Sequence, residues 1–245
     1  LTSKAPDVKG STLSRYETGL DHFRDFCGES TSVREALTTD VIQRFKSHRI
    51  NEDEVAKETV NNDLGAVSIL ATYAERKGWI DSRPEIRKYS TKVRISYLES
   101  DEIATYMAAL RPAFRPLMQL LIGTGMRLGE AEGLLVRDLR LGDNEVRALI
   151  RDGKTDEATR AVFIPPWLAE TLTDHLTRRG RKQEEQVFQI PRRTVQKEHN
   201  GARGQIGRPG YTVHDHRHTA AVHLARAGMP LHLLQRQLGH SNVEQ

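Results

Sequence analysis

The chain has 245 residues, with 37 Lys or Arg against 33 Asp or Glu, 37% hydrophobic residues and a pI of about 9.2. That composition supports at least one packed core under a heavily ionised surface, and no apolar run approaches the roughly 18 residues that span a bilayer, which excludes a helical membrane protein. The single cysteine, Cys27, excludes an internal disulfide and fits a reducing compartment; the polar amino end shows no signal-peptide pattern, and Leu at position 1 is expected of a processed or excised chain.

Residues 1–10 read as a loose lead-in. Leu13, Tyr16, Leu20, Phe23 and Phe26 then recur at helical spacing and predict an amphipathic helix ended by Gly28. A second helix is predicted from Thr38 to Asp40 onward, carrying Val41, Ile42 and Phe45. A third follows Thr59, with Val60, Leu64, Val67, Leu70, Ala71 and Ala74 on one face, and stops near Gly78. No window here is rich in β-formers, so residues 11–80 read as a small helical domain. Residues 81–96 contain Pro84, scattered charge and no periodic apolar face. They read as a linker whose Lys88, Lys92 and Arg94 would lie along phosphates.

From Tyr97 the pattern changes. Glu99 to Leu110 predicts a helix with Ser100 as N-cap and Ile103, Tyr106, Met107 and Leu110 inward. Phe114 to Ile122 predicts a second, ending at Gly123, and Thr124-Gly125-Met126-Arg127-Leu128-Gly129-Glu130 opens a third. Val146, Ala148 and Ile150 alternate, residues 152–156 turn the chain, and Arg160 to Ile164 return, which is a hairpin signature. After Pro165-Pro166 a helix carries Leu168, Leu172, His175 and Leu176. The next segment, with Gly201, Gly204, Gly207 and Gly210, reads as loop-rich. His214-Asp215-His216-Arg217-His218-Thr219 starts a helix that runs to Gly228-Met229-Pro230, and Leu231, Leu234 and Leu238 mark the last one. The class is mainly α with a small antiparallel β-sheet.

Charge is concentrated. Residues 178 to 208 hold nine Lys or Arg and three acids, a local excess of +6 that is larger than the +4 of the whole chain. Such a stretch suits a polyanion, with Arg192, Arg193, Lys197, Arg203 and Arg208 as candidate contacts. Arg127 sits beside Gly123 and Gly125 at a loop-to-helix junction, where glycine permits close backbone approach and a guanidinium can fork onto two phosphate oxygens. His214 and His218 are four residues apart and share a helix face with Arg217. Lys154 lies at the predicted hairpin tip, in reach of a leaving oxygen. His240 follows Gly239 at a corner. A rival reading takes His214, His216, His218 and His223 as zinc ligands, but the interposed Arg217 would repel a cation, so no metal and no cofactor are expected.

Taken in order, TGMRLGE, the hairpin lysine, HDHRHT and Leu238-Gly239-His240 resemble the tyrosine site-specific recombinases, the family of phage integrases and chromosome-dimer-resolving recombinases. Thr59-Val60-Asn61-Asn62-Asp63-Leu64 and Gly78-Trp79-Ile80-Asp81 resemble that family's core-binding domain, and Tyr97-Leu98-Glu99 the start of its catalytic domain. The resemblance implies a helical, SAM-like core-binding domain over 11–80 and an α+β catalytic domain over 97–245. It implies Arg127, Lys154, His214, Arg217 and His240 as the catalytic set, with Glu130 orienting the pocket from behind. The implied reaction is attack of a tyrosine on a DNA phosphate, giving a 3′-phosphotyrosyl bond and a free 5′-hydroxyl, then reversal by a second 5′-hydroxyl without ATP or metal. The implied partner is double-stranded DNA, held by four protomers on two duplexes, in the cytoplasm with the nucleoid and without a membrane. Two departures stand out. His216 occupies a position where the family carries an apolar residue. The family's tyrosine would fall roughly nine residues past His240, near position 249, so the chain to Gln245 is expected to bind DNA, possess no nucleophile, and be monomeric. The alternatives are a non-catalytic DNA-binding regulator, a catalytically dead relative, a metal-dependent nuclease and a type IB topoisomerase.

Overall fold

The structure, a computed structural model, describes residues 10–91, 95–142, 145–151 and 160–239. The chain divides into two compact units, Leu1–Val93 and Arg94–Gln245. Among the described residues no helix is long and apolar enough to cross a membrane.

The first unit is built from α1 (Gly10–Cys27), a short α2 (Val33–Ala36), α3 (Thr39–Asn51) and α4 (Lys57–Arg76). Ser32 and Glu35 cap α2 reciprocally, and the Thr38 hydroxyl accepts the Val41 N–H to start α3. Phe23, Ile42, Phe45, Val60, Leu64, Val67 and Ala71 fill the core. Gly19 lets α1 and α4 close together, because a Cβ there would lie 3.0 Å from the Ala66 Cβ. Arg49 and Asp63 are buried as a pair, with Nε donating to Oδ2 at 3.1 Å, and His22 stands 3.3 Å from the same carboxylate. One buried ion pair thus joins α3 to α4 and reaches α1.

The stretch read as a linker is, over its described residues 81–91, strapped to this unit. The Asn61 amide pairs with both the N–H and the C=O of Tyr89, at 2.8 and 2.9 Å. Lys46 donates to the Arg87 carbonyl at 2.8 Å and sits 4.1 Å from the Tyr89 ring centroid. The lack of an apolar period in this stretch reflects anchoring by backbone groups and one aromatic ring instead of by a helical face.

The second unit packs α5 (Ser100–Ala109), α6 (Arg115–Thr124), α7 (Leu128–Gly133), α8 (Pro166–Arg179), α9 (Arg192–Gln205), α10 (Asp215–Arg226) and α11 (Leu231–Leu238) around a three-stranded antiparallel sheet, β1 (Leu139–Gly142), β2 (Glu145–Ile150) and β3 (Arg160–Phe163). Ala148 of β2 pairs with Leu139 on one side and Val162 on the other. α6 is the central helix: Leu117, Met118, Leu120, Leu121 and Ile122 are all buried, as expected of a helix apolar on most faces.

Four local expectations are corrected. The N-cap of α5 is Glu99, not Ser100; its backbone N–H bonds Glu102 Oε2 at 2.9 Å, and Ser100 is already helical. α6 runs through Gly123 and stops at Gly125, whose φ of 73° only glycine adopts readily. The strand β1 was not foreseen. The segment read as loop-rich is largely α9, which carries Gly201 and Gly204 inside a helix because Val195, His199 and Ala202 recur at helical spacing and are buried. Tertiary burial of that face outweighs the helix-weakening effect of the two glycines.

Burial lowers the pKa of His199 and lowers that of His216 far more. A folded value below the unfolded one means the unfolded chain binds more protons as pH falls below about 6.5, so stability is complete above that pH and is lost below it. Thermal unfolding followed by calorimetry is expected to show the second unit's transition several degrees lower at about pH 5.5 than at about pH 7.5. An unchanged or higher transition at the acid pH would contradict this burial.

Candidate active site

The C-terminal end of α6 builds the site. Gly125 caps the helix in the left-handed region, and a Cβ on it would fall 2.5 Å from Leu238 Cδ2 and 3.3 Å from the Ala220 Cβ. The turn is therefore clamped between α10 and α11. Two residues on, Arg127 is the N-cap of α7 and presents its side chain to solvent, 44% exposed. Glu130 fixes it from both ends: the Arg127 N–H donates to Oε2 and its Nη1 to Oε1, each at 2.8 Å.

Arg217, on the first turn of α10, is only 5% exposed. Its Nη1 donates to the Gly125 carbonyl at 2.9 Å and its Nη2 to the Leu238 carbonyl. The Gly125 carbonyl lies two residues from Arg127, so one hydrogen bond ties the Arg217 guanidinium to the backbone turn that carries Arg127. Burial above all, and then the positive charges of Arg127 and Arg160 against the opposing Glu130, push the Arg217 pKa down to about 10. It stays cationic at neutral pH. Thr212 sets where α10 begins, since its N–H and hydroxyl both donate to Asp215 Oδ2, at 2.6 and 2.9 Å. His214 then stands at the exposed N-cap with its ring 5.6 Å from that of His218. Desolvation first, then His218, Arg217 and Arg127, lower its pKa and favour the neutral imidazole.

Two residues that sequence reasoning missed complete the frame. Arg160 of β3 donates to Glu130 Oε2 at 2.8 Å, and its guanidinium fills the space against Gly239, where a Cβ would come within 2.8 Å. Glu130 is therefore shared by two arginines. Burial works to raise its pKa, but hydrogen bonds from Arg160 and Arg127 outweigh it and hold the carboxyl below its usual range. Buried Gln237 of α11 donates to the carbonyls of Thr124 and Phe163, both at 3.0 Å, and accepts the Phe163 N–H at 2.9 Å. It bolts α11 to the end of α6 and to β3. An arginine inside a strand that alternates was a visible signal; a glutamine in a leucine-bearing helix was not.

Arg127, His214, Arg217 and Glu130 thus stand together, while Lys154 and His240 lie outside the described residues, as do Lys92 and Arg94. The His216 and His223 rings turn elsewhere: His216 faces Tyr106 and Tyr211, and His223 Nε2 bonds the Leu98 carbonyl at 2.8 Å. Among the described residues no group of three His, Cys, Asp or Glu is placed to hold a metal ion. The candidate polyanion contacts differ in state. Arg192 is held by Glu132 and Arg208 by Glu102, and Arg203 donates to the Tyr211 carbonyl at 2.9 Å. Arg193 and Lys197 lie exposed on α9 and line one shallow surface with Arg111 and Gln205. Lys88 extends over α4, with Nζ 3.7 Å from where a Gly65 Cβ would stand.

Comparison with known proteins identifies the family and the fold. The pattern of the phage integrase family matches residues 96–245, and that of the phage integrase SAM-like domain matches residues 2–91. The tyrosine recombinase XerC of Roseiflexus castenholzii is 25% identical over 97% of this chain and 82% of its own length. The tyrosine recombinase XerA of Saccharolobus solfataricus is 27% identical over 95% of this chain and 79% of its own. In fold, the chain superposes on a lambda integrase (75–356) dimer bound to a COC′ core site with a TM-score of 0.79, at 20% identity, over 98% of this chain and 92% of that one.

Replacing Gly125 with Ala would both strain a positive-φ position and drive a methyl into Leu238. Gly125→Ala is expected to destabilise the second unit by about 1–3 kcal/mol, read as a fall in its denaturation midpoint. A variant as stable as the parent would show that the turn is not clamped.

Proposed function

The chain belongs to the phage integrase family, and we propose that it is a site-specific DNA recombinase that cleaves and rejoins duplex DNA through a 3′-phosphotyrosyl intermediate. The observation that carries this reading is the excess of fixed positive charge around one turn: Arg127 and Arg160 share the carboxylate of Glu130, and Arg217, held by two backbone carbonyls, adds a third cation beside them. Such a cluster is destabilised by its own repulsion until an anion arrives, and charge held rigidly in place is what a pentavalent phosphate needs.

Each group has a role that follows from its setting. Arg217, locked by two backbone carbonyls, meets one non-bridging oxygen without reorganising. Arg127, exposed and held by Glu130 at both its backbone N–H and its Nη1, turns its remaining guanidinium N–H groups onto the other. His214, kept neutral, takes the proton from the attacking phenol. Lys154 protonates the leaving 5′-oxygen, and His240 hydrogen-bonds a phosphate oxygen, both by resemblance. Tyr106 and Tyr211 are not the nucleophile, because both are buried and burial raises their phenols far above the ordinary range. The resemblance assigns the attack to a tyrosine roughly nine residues past His240.

DNA is held chiefly through phosphates, by Arg193 and Lys197 of α9, by Lys88 of the first unit, by Lys92 and Arg94, and by Arg192, Arg203 and Arg208 once their present partners are exchanged for phosphate. The working assembly is four protomers on two duplexes, acting at the chromosome in the cytoplasm. Binding of a cognate duplex, measured by fluorescence anisotropy, is expected to weaken by orders of magnitude between roughly 50 and 200 mM salt. Salt-insensitive binding would remove the phosphate-clamp reading. With the attacking tyrosine present, Arg217→Ala is expected to slow covalent-adduct formation on a nicked suicide duplex by on the order of 10²–10³-fold while leaving affinity within a few-fold. Parallel loss of affinity and cleavage would move Arg217 out of the reaction and into DNA binding.

A further inference from the structure

Behind the face of α10 that carries Arg217, five polar side chains that the cleavage chemistry does not use are sealed from solvent: Tyr106, His199, Tyr211, His216 and Thr219. Their contacts form a closed circuit in which neutral rings fix the protons of both histidines and both tyrosines. His199 Nε2 faces the Tyr211 carbonyl at 2.9 Å, and a carbonyl only accepts, so that nitrogen carries the hydrogen. Burial keeps the ring neutral, leaving Nδ1 bare; the Tyr106 hydroxyl, 2.8 Å away, must donate to it. The Tyr106 oxygen then accepts from His216 Nε2–H at 3.1 Å. His216, also neutral, has a bare Nδ1 that receives the Tyr211 hydroxyl at 2.8 Å. The Tyr211 oxygen in turn faces the Thr219 hydroxyl at 2.7 Å, whose single proton is shared between that oxygen and the Asp215 carbonyl at 3.0 Å, and Thr219 accepts the Leu98 N–H at 3.2 Å. The circuit starts and ends on Tyr211 and satisfies both nitrogens of both histidines.

The mechanical consequence concerns α10. His216 and Arg217 are neighbours on one helical turn, so they cannot rotate independently. The bonds of His216 reach α5 through Tyr106, and through Tyr211 the segment before α10, which His199 ties to α9. Turning α10 enough to carry Arg217 away from the Gly125 carbonyl would break two directional bonds in a place where water cannot replace them. An apolar side chain of similar volume would pack there without specifying that rotation.

We propose that His216 is a positioning residue for phosphodiester cleavage, fixing through Tyr106 and Tyr211 the rotation of α10 and hence the placement of Arg217 and His214 at the scissile phosphate. The inference rests on the assignment of Arg217 and His214 to that reaction. It is tested with His216→Leu, Tyr211→Phe and the double variant, with His216→Asn as the conservative change that keeps the acceptor facing Tyr211. With the attacking tyrosine present, single-turnover cleavage of a nicked duplex is expected to fall on the order of 10- to 100-fold in His216→Leu with duplex affinity unchanged. Tyr211→Phe should lose a similar factor, the double variant no more than either alone, and His216→Asn should recover part of the rate. Additive losses, or a full rate in His216→Leu, would overturn the proposal. A second measurement is independent of turnover. In nitrogen-15 spectra of the 245-residue chain at neutral pH, His199 and His216 are expected to carry hydrogen on Nε2 and none on Nδ1, and His216→Leu should displace the Arg217 Nε–H resonance. If the parent protein fails to cleave with the attacking tyrosine present, the recombinase reading falls while these spectra still decide whether His216 governs Arg217; an Arg217 resonance indifferent to position 216 would refute it.

Discussion

A guanidinium that cannot shed its charge is buried at the centre of the second unit, and the surrounding architecture follows from satisfying it. Arg217 finds its partners in two carbonyls, those of Gly125 and Leu238. Both belong to helix C-terminal ends, where unsatisfied carbonyls and the helix dipole concentrate partial negative charge. Both ends close with a left-handed glycine, Gly125 with φ 73° and Gly239 with φ 66°. The two glycines are thus linked in purpose: each stops its helix so that a bare carbonyl remains for the same cation. The fold solvates Arg217 with oriented dipoles in place of a carboxylate, which leaves its positive charge uncancelled for an incoming anion.

Glu130 complements that arrangement. One carboxylate holds the backbone and side chain of Arg127 and the guanidinium of Arg160, and Arg160 in turn packs against Gly239. Arg127, α7, β3 and the end of α11 are joined through a single acid, and charge in the pocket remains positive. Preorganisation of this kind is efficient because the reorganisation that water would need on meeting a charged transition state has already been done in folding.

Charge on the surface follows a different rule. The excess of basic residues between positions 178 and 208 suggested one uniform anion-binding stretch. The structure separates it into arginines already engaged by Glu132 and Glu102, and cations such as Arg193 and Lys197 that stand open on α9. Exposed pairs of this sort are worth little, about 0–1 kcal/mol each, so a polyanion that offers several phosphates can exchange them at small cost. They hold the arginines in the right region without sealing them away.

The sequence by itself determined the helical class, both apolar cores, the hairpin strands β2 and β3, and the order of Arg127, Glu130, His214 and Arg217, because each rests on local periodicity or on a contiguous motif. Helix ends were less legible: Gly123 and Gly125 look alike on paper, and only packing against Leu238 and Ala220 selects the second as the cap. α9 was misread because its glycines argue locally for a loop, while the buried Val195, His199 and Ala202 argue through neighbours distant in sequence. Arg160 and Gln237, the bolts of the site, and the role of His216 against Tyr106 and Tyr211 were decided by the tertiary structure alone. Their partners lie between 5 and 113 residues away along the chain, most of them far outside any local pattern, and a hydrogen bond's worth depends on which buried group would otherwise go unsatisfied.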